Sequence, residues 1–215
     1  MMRETGMVPV FYNPDPEICK EVMKACYEGG SMVFEFTNRG DFAHEVFAEL
    51  GKWAVTECPG LILGAGSVAD AGTAAIYIQM GACFIVSPFL NAEVAKTCNR
   101  RKVLWIPGCG TLTEISAAEE LGAEIVKIFP GTAVGGPGFV KAVKGPCPWT
   151  SIMPTGGVEP DEVNLKQWFD AGVVCVGMGS ALLTDKLVKN KSWGKITLEV
   201  KTTIDIIKKL RTTRA

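Results

Sequence analysis

The chain reads as an α/β protein with a single (β/α)8 fold, the TIM barrel, and three observations predict it. Short apolar, β-rich runs alternate with helical stretches along the sequence. The stops between helix and following strand are nearly uniform, at Gly29-Gly30, Gly81-Ala82, Gly122-Ala123 and Ala171-Gly172. Glycine just past a helix end accepts the left-handed conformation that closes it. The strand candidates are continuous Val/Ile/Leu runs, as expected of parallel strands covered on both faces.

Eight segments qualify as strands: 7–12, 32–37, 61–66, 84–88, 103–108, 125–130, 151–156 and 173–177. Their spacing of roughly 20–30 residues suits an eight-fold barrel better than an open doubly wound sheet. An open sheet usually carries a Gly-x-Gly-x-x-Gly turn after its first strand, and here that strand runs into Phe11-Tyr12-Asn13-Pro14. The first strand begins almost at once, so a helix closing the barrel bottom must be short or missing.

Helices fill the gaps. One spans 16–27 behind Asp15 as N-cap. Another spans 113–121, with Glu114, Glu119 and Glu120 on its wet face. A third, 160–170, opens with a proline and two acids at its positive end. Near the C-terminus Ile204, Ile207 and Leu210 recur at helical spacing, and Lys208, Lys209, Arg211 and Arg214 suit the last turn. With no linker or low-complexity segment, residues 1–215 are expected to form one domain that ends in this helix.

At 215 residues and 23.0 kDa the chain can bury a sizeable core. A net charge of −1 and a pI near 6.0 provide no basic footprint, so nucleic acid is not an expected partner. No apolar stretch approaches the roughly 20 residues needed to span a bilayer, and no signal peptide is visible. The eight cysteines are scattered without a Cys-x-x-Cys pair. Those in apolar segments, such as Cys83 and Cys175, are expected to pack as small hydrophobes in a reduced, cytoplasmic protein. His44 is the one histidine, in an early helical turn. A zinc site with several imidazoles cannot be built, and a Ser-His-Asp triad would have to use this residue. Chemistry then rests on lysine and carboxylate, with no metal or cofactor expected.

Charges inside barrel strands need a reason, and active sites gather at the strands' C-terminal ends. Lys127 lies in Glu124-Ile125-Val126-Lys127-Ile128-Phe129-Pro130, within the sixth strand segment. A lysine is almost never fully buried unless it is paired or reactive, and a desolvated amine is a nucleophile that forms Schiff bases with ketones. Glu35 and Arg39 close the second segment, Val33-Phe34-Glu35-Phe36-Thr37-Asn38-Arg39. Glu35 and Thr37 share a parity and so a cavity. Glu35 could shuttle protons, and Arg39 offers a planar fork for a substrate carboxylate. The alternative is a buried Glu35–Lys127 ion pair, or a Lys127 that snorkels from the strand end. Pro154-Thr155-Gly156-Gly157-Val158 and Gly177-Met178-Gly179-Ser180 end the last two segments, where barrels bind phosphate through backbone N–H groups. The helix expected after Gly179-Ser180 would point its N-terminus at the anion.

Six motifs in order carry a family resemblance: Glu35-Phe36-Thr37-Asn38-Arg39, Gly64-Ala65-Gly66-Ser67-Val68, Phe84-Ile85-Val86-Ser87-Pro88, Ile106-Pro107-Gly108, Val126-Lys127-Ile128-Phe129-Pro130 and Pro154-Thr155-Gly156-Gly157-Val158. They resemble the class I 2-keto-3-deoxy-6-phosphogluconate (KDPG) aldolases, grouped with 4-hydroxy-2-oxoglutarate (KHG) aldolase. The resemblance implies a homotrimeric barrel that cleaves the phosphorylated keto acid to pyruvate and glyceraldehyde 3-phosphate without metal. It implies Lys127 as the Schiff-base lysine and Glu35 as the acid/base carboxylate. It assigns Arg39, Ser67, Pro88, Phe129 and Thr155 to substrate binding, and Gly156, Gly157, Gly179 and Ser180 to the phosphate. The chain departs from the family pattern at Gly40-Asp41, at Cys109-Gly110-Thr111 and at Met178. An acid at position 41 would alter the charge of the pocket. Within the same chemistry the substrate could be the 6-phosphogalactonate epimer or unphosphorylated KHG. From other classes, the alternatives are a non-catalytic phosphosugar-binding barrel and a metal-dependent lyase using carboxylate ligands.

Overall fold

Helix and parallel strand alternate through the chain, as the α/β class requires. The structure is a computed structural model and describes residues 1–212, so Arg214 lies outside the described residues. The strands are β1 (Met7–Phe11), β2 (Val33–Thr37), β3 (Ile62–Gly66), β4 (Phe84–Val86), β5 (Leu104–Ile106), β6 (Gly108–Cys109), β7 (Val126–Ile128), β8 (Ile152–Pro154) and β9 (Val176–Met178). The helices are α1 (Met2–Thr5), α2 (Pro16–Glu28), α3 (Ala43–Glu57), α4 (Ala71–Gln79) and α5 (Ala92–Arg101) in the first half of the chain. They are followed by α6 (Leu112–Glu120), α7 (Gly136–Lys144), α8 (Glu162–Ala171), α9 (Asp185–Lys189) and α10 (Trp193–Thr212).

A continuous eight-stranded ladder is not what forms. A six-stranded parallel sheet in the order β5-β4-β3-β2-β1-β9 curls into a half-barrel, and β6-β7-β8 make a separate parallel sheet. The division has a local cause at Pro107, which has no N–H to donate to a ladder. The fifth predicted segment splits there, so that Leu104–Ile106 pairs with β4 while Gly108–Cys109 pairs with β7. Pro107 keeps its carbonyl in use, accepting from the Lys127 N–H at 2.8 Å. The sheets touch at both seams: the Gly108 N–H donates to Ser87 O at 2.9 Å, and a single bridge joins Thr155 to Gly177.

Two apolar clusters follow from strand parity. The larger lies between the strands and the helices. The smaller is enclosed by the strands and contains Met2, Val8, Val33, Phe84, Val86, Ile106, Ile125, Met153 and Cys175. Met2 comes from α1, a single helical turn, which is the short closing helix expected at that end.

Helix starts are set by side-chain caps. Asp15 accepts from the Glu17 N–H at the start of α2, as expected. At α6 the cap is Thr111, which accepts from the Glu114 N–H. Glu114 reaches back to the Gly110 N–H and the Thr111 hydroxyl, so it caps the helix instead of facing water. Pro160 lies outside α8, whose cap is Asp161, accepting from Val163 and Asn164. At the other end of the chain Ile204 and Ile207 are buried, and Arg211 reaches back from α10 to the carbonyls of Arg3, Glu4 and Val174. Burial of Cys175 is as expected, whereas Cys83 is exposed because it precedes β4 at the open lower rim. None of the described helices is long and apolar enough to cross a membrane.

Phe84 fills the floor beneath the strand C-termini and is almost fully buried. Its replacement by alanine is expected to cost about 3–5 kcal/mol, read as a lower urea midpoint at unchanged m-value.

Candidate active site

The C-terminal ends of the strands enclose a cavity of about 350 Å³. Arg39, Phe129, Thr155, Gly156, Gly157, Gly179 and Ser180, all expected site residues, line it. Tyr12, Thr37, Glu159 and Asp185 line it as well, and sequence reasoning had singled out only Thr37 among these. The parity of β2 could not find Tyr12, which lies just beyond β1 where strand alternation no longer predicts direction.

Glu35 and Lys127 sit on the inner faces of β2 and β7, beneath the cavity walls. Glu35 is paired in register with Val10 on one side and Gly64 on the other, and Lys127 with Gly108 and Met153. Glu35 is 0 % exposed and Lys127 6 %. They do not neutralise one another, because neither carboxylate oxygen of Glu35 has a hydrogen-bond partner among the described residues. The ion-pair alternative therefore does not describe this interior. The Lys127 ammonium lies instead over the Phe129 ring, with Nζ 4.9 Å from its centroid.

Burial pushes the Glu35 carboxyl above the ordinary glutamate range, against the opposing pull of the Lys127 and Arg39 charges. Room for that carboxyl is made by Gly66. A Cβ there would lie 1.9 Å from Glu35 Oε1, so no larger residue fits beside it. Gly177 does the same for Thr155, since its Cβ would lie 2.3 Å from the Thr155 hydroxyl oxygen. That oxygen is buried and unpartnered, leaving an acceptor and donor available to a bound molecule.

Four predicted residues stand apart from the cavity lining, the buried Glu35 and Lys127 together with Ser67 and Pro88. Ser67 follows β3 in the left-handed region, at φ 58°, and is half-buried. Pro88 follows β4, where its carbonyl is pressed close to Gly108, and is also half-buried. Asp41 is exposed and outside the lining, so it does not set the charge of the cavity. The helix expected after Gly179-Ser180 is a turn instead. Leu182 and Leu183 donate to Gly179 O at 3.0 and 2.9 Å, and α9 starts only at Asp185 behind its Thr184 cap. Gly156 and Gly157 both have positive φ, at 91° and 77°, which turns the chain back sharply at the cavity edge. Among the described residues no group of three or more His, Cys, Asp or Glu side chains could hold a metal ion.

A family model described as KDPG and KHG aldolase matches residues 1–199. The chain belongs to this aldolase family. A 2-dehydro-3-deoxy-phosphogluconate aldolase of Pseudoalteromonas atlantica is 33 % identical over 192 residues, 89 % of this chain and 86 % of that protein. A 2-dehydro-3-deoxy-6-phosphogalactonate aldolase of Escherichia coli is 38 % identical, over 56 % of this chain and 58 % of its own length. Among solved structures, a KDPG aldolase of Legionella pneumophila, with pyruvate captured as a covalent carbinolamine, superposes with a TM-score of 0.85. It is 27 % identical, and the match covers 94 % of this chain and 95 % of that one. Members of the family are carbon–carbon lyases.

The raised Glu35 carboxyl links the site to stability. A proton held more tightly in the folded than in the unfolded chain stabilises the fold below the ordinary value of 4.5, and that contribution is lost as pH rises through the folded value. Glu35→Gln should therefore match the wild type in urea midpoint near pH 4 and exceed it increasingly towards pH 8. A midpoint difference that stays constant with pH would contradict the raised carboxyl.

Proposed function

We propose that the protein is a class I aldolase that cleaves 2-keto-3-deoxy-6-phosphogluconate to pyruvate and glyceraldehyde 3-phosphate through a Schiff base on Lys127. The observation that carries the reading is the buried amine of Lys127 and the buried, unpartnered carboxyl of Glu35 in one interior without mutual neutralisation. A structural ion pair would have closed on itself. Two buried ionisable groups with no mutual hydrogen bond, beneath a cavity at the strand ends, are candidates to act on a substrate.

The chemistry follows from the residue types. The Lys127 amine adds to the C2 ketone, and loss of the carbinolamine hydroxyl as water leaves an iminium that acts as electron sink. Protonated Glu35 supplies the proton for that departure and becomes a base. As the C3–C4 bond breaks, the electron pair moves into the iminium to give the pyruvate enamine, and the C4 hydroxyl gives its proton to the Glu35 carboxylate as the aldehyde forms. Reprotonation of the enamine carbon and addition of water release pyruvate and the free lysine. A carboxyl whose burial favours the protonated form suits this alternation. Arg39 would hold the substrate carboxylate as a fork, helped by Ser67. Pro88 and Phe129 would flank the keto-acid end, and Thr155 would meet a substrate hydroxyl through its unpartnered oxygen. Gly156, Gly157, Gly179 and Ser180 would hold the phosphate, in the absence of a helix N-terminus, by turn N–H groups and the serine hydroxyl.

A second reading keeps the chemistry and changes the substrate. The similarity to a 6-phosphogalactonate aldolase favours the C4 epimer. Glu159 and Asp185 at the phosphate end favour an unphosphorylated acid such as 4-hydroxy-2-oxoglutarate, although both are exposed and screened by water. The same proposal includes closure of the two sheets across their seams into an eight-fold barrel, a single domain, the homotrimer implied by the family and a cytoplasmic setting. The eight free cysteines support the last of these.

Incubation with pyruvate and sodium borohydride should leave one reduced pyruvate on the peptide carrying Lys127, seen by mass spectrometry, and none on Lys127→Ala. An unmodified lysine together with cleavage that a chelator abolishes would sink the proposal. If the glycine turns bind phosphate, kcat/KM for the phosphorylated keto acid should exceed that for 4-hydroxy-2-oxoglutarate by about 100-fold or more, the size expected when several hydrogen bonds to an anion are lost. Equal turnover of the two would leave those turns without a substrate role.

A further inference from the structure

Arg39 is exposed at the end of β2, on a long side chain that no acidic partner holds within ion-pair distance among the described residues. A guanidinium so placed has several rotatable bonds to sweep through, and binding a carboxylate costs the entropy of stopping it. Its reach is then set by how firmly the backbone on either side is anchored.

Both neighbours are anchored, from the outer side of the sheet. Parity along β2 sends Glu35 and Thr37 inward and Phe36 and Asn38 toward the helices. The Asn38 N–H donates to Gly66 O at 2.8 Å, tying the strand end to β3. The Asn38 side-chain oxygen accepts from the Tyr77 hydroxyl of α4 at 2.9 Å. Tyr77 is 1 % exposed, and burial pushes its hydroxyl up to about 12, so it stays a donor at neutral pH.

A row of rings continues from Tyr77 back to the cavity. Tyr77 meets Phe47 edge-on at 5.0 Å, Phe47 tilts against Phe36 at 6.0 Å, and Phe36 meets Tyr12 edge-on at 5.6 Å. Tyr12 closes the row beside Gly40. A Cβ at Gly40 would lie 2.2 Å from the Tyr12 hydroxyl oxygen, so backbone and ring are in contact there. Arg39 is thus flanked by Asn38, fixed through Tyr77, and by Gly40, packed on Tyr12.

We propose that Tyr77 is a positioning residue for the aldolase reaction, holding Asn38 through its hydroxyl so that the Arg39 fork is presented to the keto-acid carboxylate. This rests on the reading of Arg39 as the carboxylate-binding residue. Tyr77 touches no substrate. Its hydroxyl acts through two residues of backbone, and its ring belongs to the core that backs β2.

The test is a double-mutant cycle on the full-length enzyme, comparing wild type, Tyr77→Phe, Arg39→Met and the double variant. KM for the keto acid and the half-saturating pyruvate concentration for borohydride trapping are measured with kcat. Tyr77→Phe keeps the ring row and removes only the hydroxyl, so KM should rise about 3- to 10-fold, the range of one lost buried hydrogen bond, with kcat within about 2-fold. With Arg39 already replaced, the same change should raise KM by less than about 2-fold. An equal effect in both backgrounds, or no effect of Tyr77→Phe beside a raised KM in Arg39→Met, overturns the proposal while leaving the reading of Arg39 intact. An unchanged KM in Arg39→Met overturns both. Should Tyr77→Phe fail to fold, Asn38→Ala removes the acceptor instead and is expected to give the same pattern.

Discussion

A carboxyl and a lysine side chain sit buried on the inner faces of strands from the two sheets, and no hydrogen bond joins them. Burying an ionisable group without a partner is costly, so the surrounding structure has to hold Glu35 in place by other means. It does so by shape. Gly66 leaves the volume that the carboxyl occupies, and Phe129 lies beneath the Lys127 ammonium. The outcome is a carboxyl biased toward its protonated form, the state in which it can give up a proton.

The strand ends that frame these groups are held by unequal devices. On the β1–β3 side the anchors are side chains: the row from Tyr77 to Tyr12 and the Asn38 hydrogen bonds keep one rim rigid. On the β8–β9 side the anchors are glycine turns, with one bridge between Thr155 and Gly177 and a tight turn closed on Gly179 O. The rigid rim carries the residue assigned to the carboxylate common to every candidate substrate. The rim built from backbone N–H groups is the one proposed to meet the phosphate. A division of this kind lets a family keep one chemistry while the distal group changes, because turn residues vary more freely than a packed core.

Much of the site was readable in the sequence because its residues violate expectation locally. A lysine inside Ile-Val-Lys-Ile and a glutamate inside Val-Phe-Glu-Phe stand out against any apolar strand, and period-two parity is enough to send Glu35 and Thr37 to one face. Cap and stop residues were equally local, which is why Asp15 and the glycine stops were placed correctly. Tyr77, by contrast, reads as an ordinary core residue of α4, and its bond to Asn38 spans 39 positions. No local pattern encodes a contact of that kind. The same holds for Tyr12, Glu159 and Asp185, which reach the cavity from segments with no strand period to orient them.

What the sequence by itself determined was the alternation of parallel strands and helices, the family to which the chain belongs, and the identity of the two inward charges. Each depends on short-range periodicity or on motifs in order, and both survive folding unchanged. The tertiary structure alone decided that Glu35 and Lys127 do not close into an ion pair, that Pro107 divides one predicted strand between two sheets, and that a turn replaces the helix expected beyond Ser180. Those outcomes depend on how far apart residues lie once distant strands are packed side by side, and on which backbone donors remain free there. Neither quantity exists until the chain has folded.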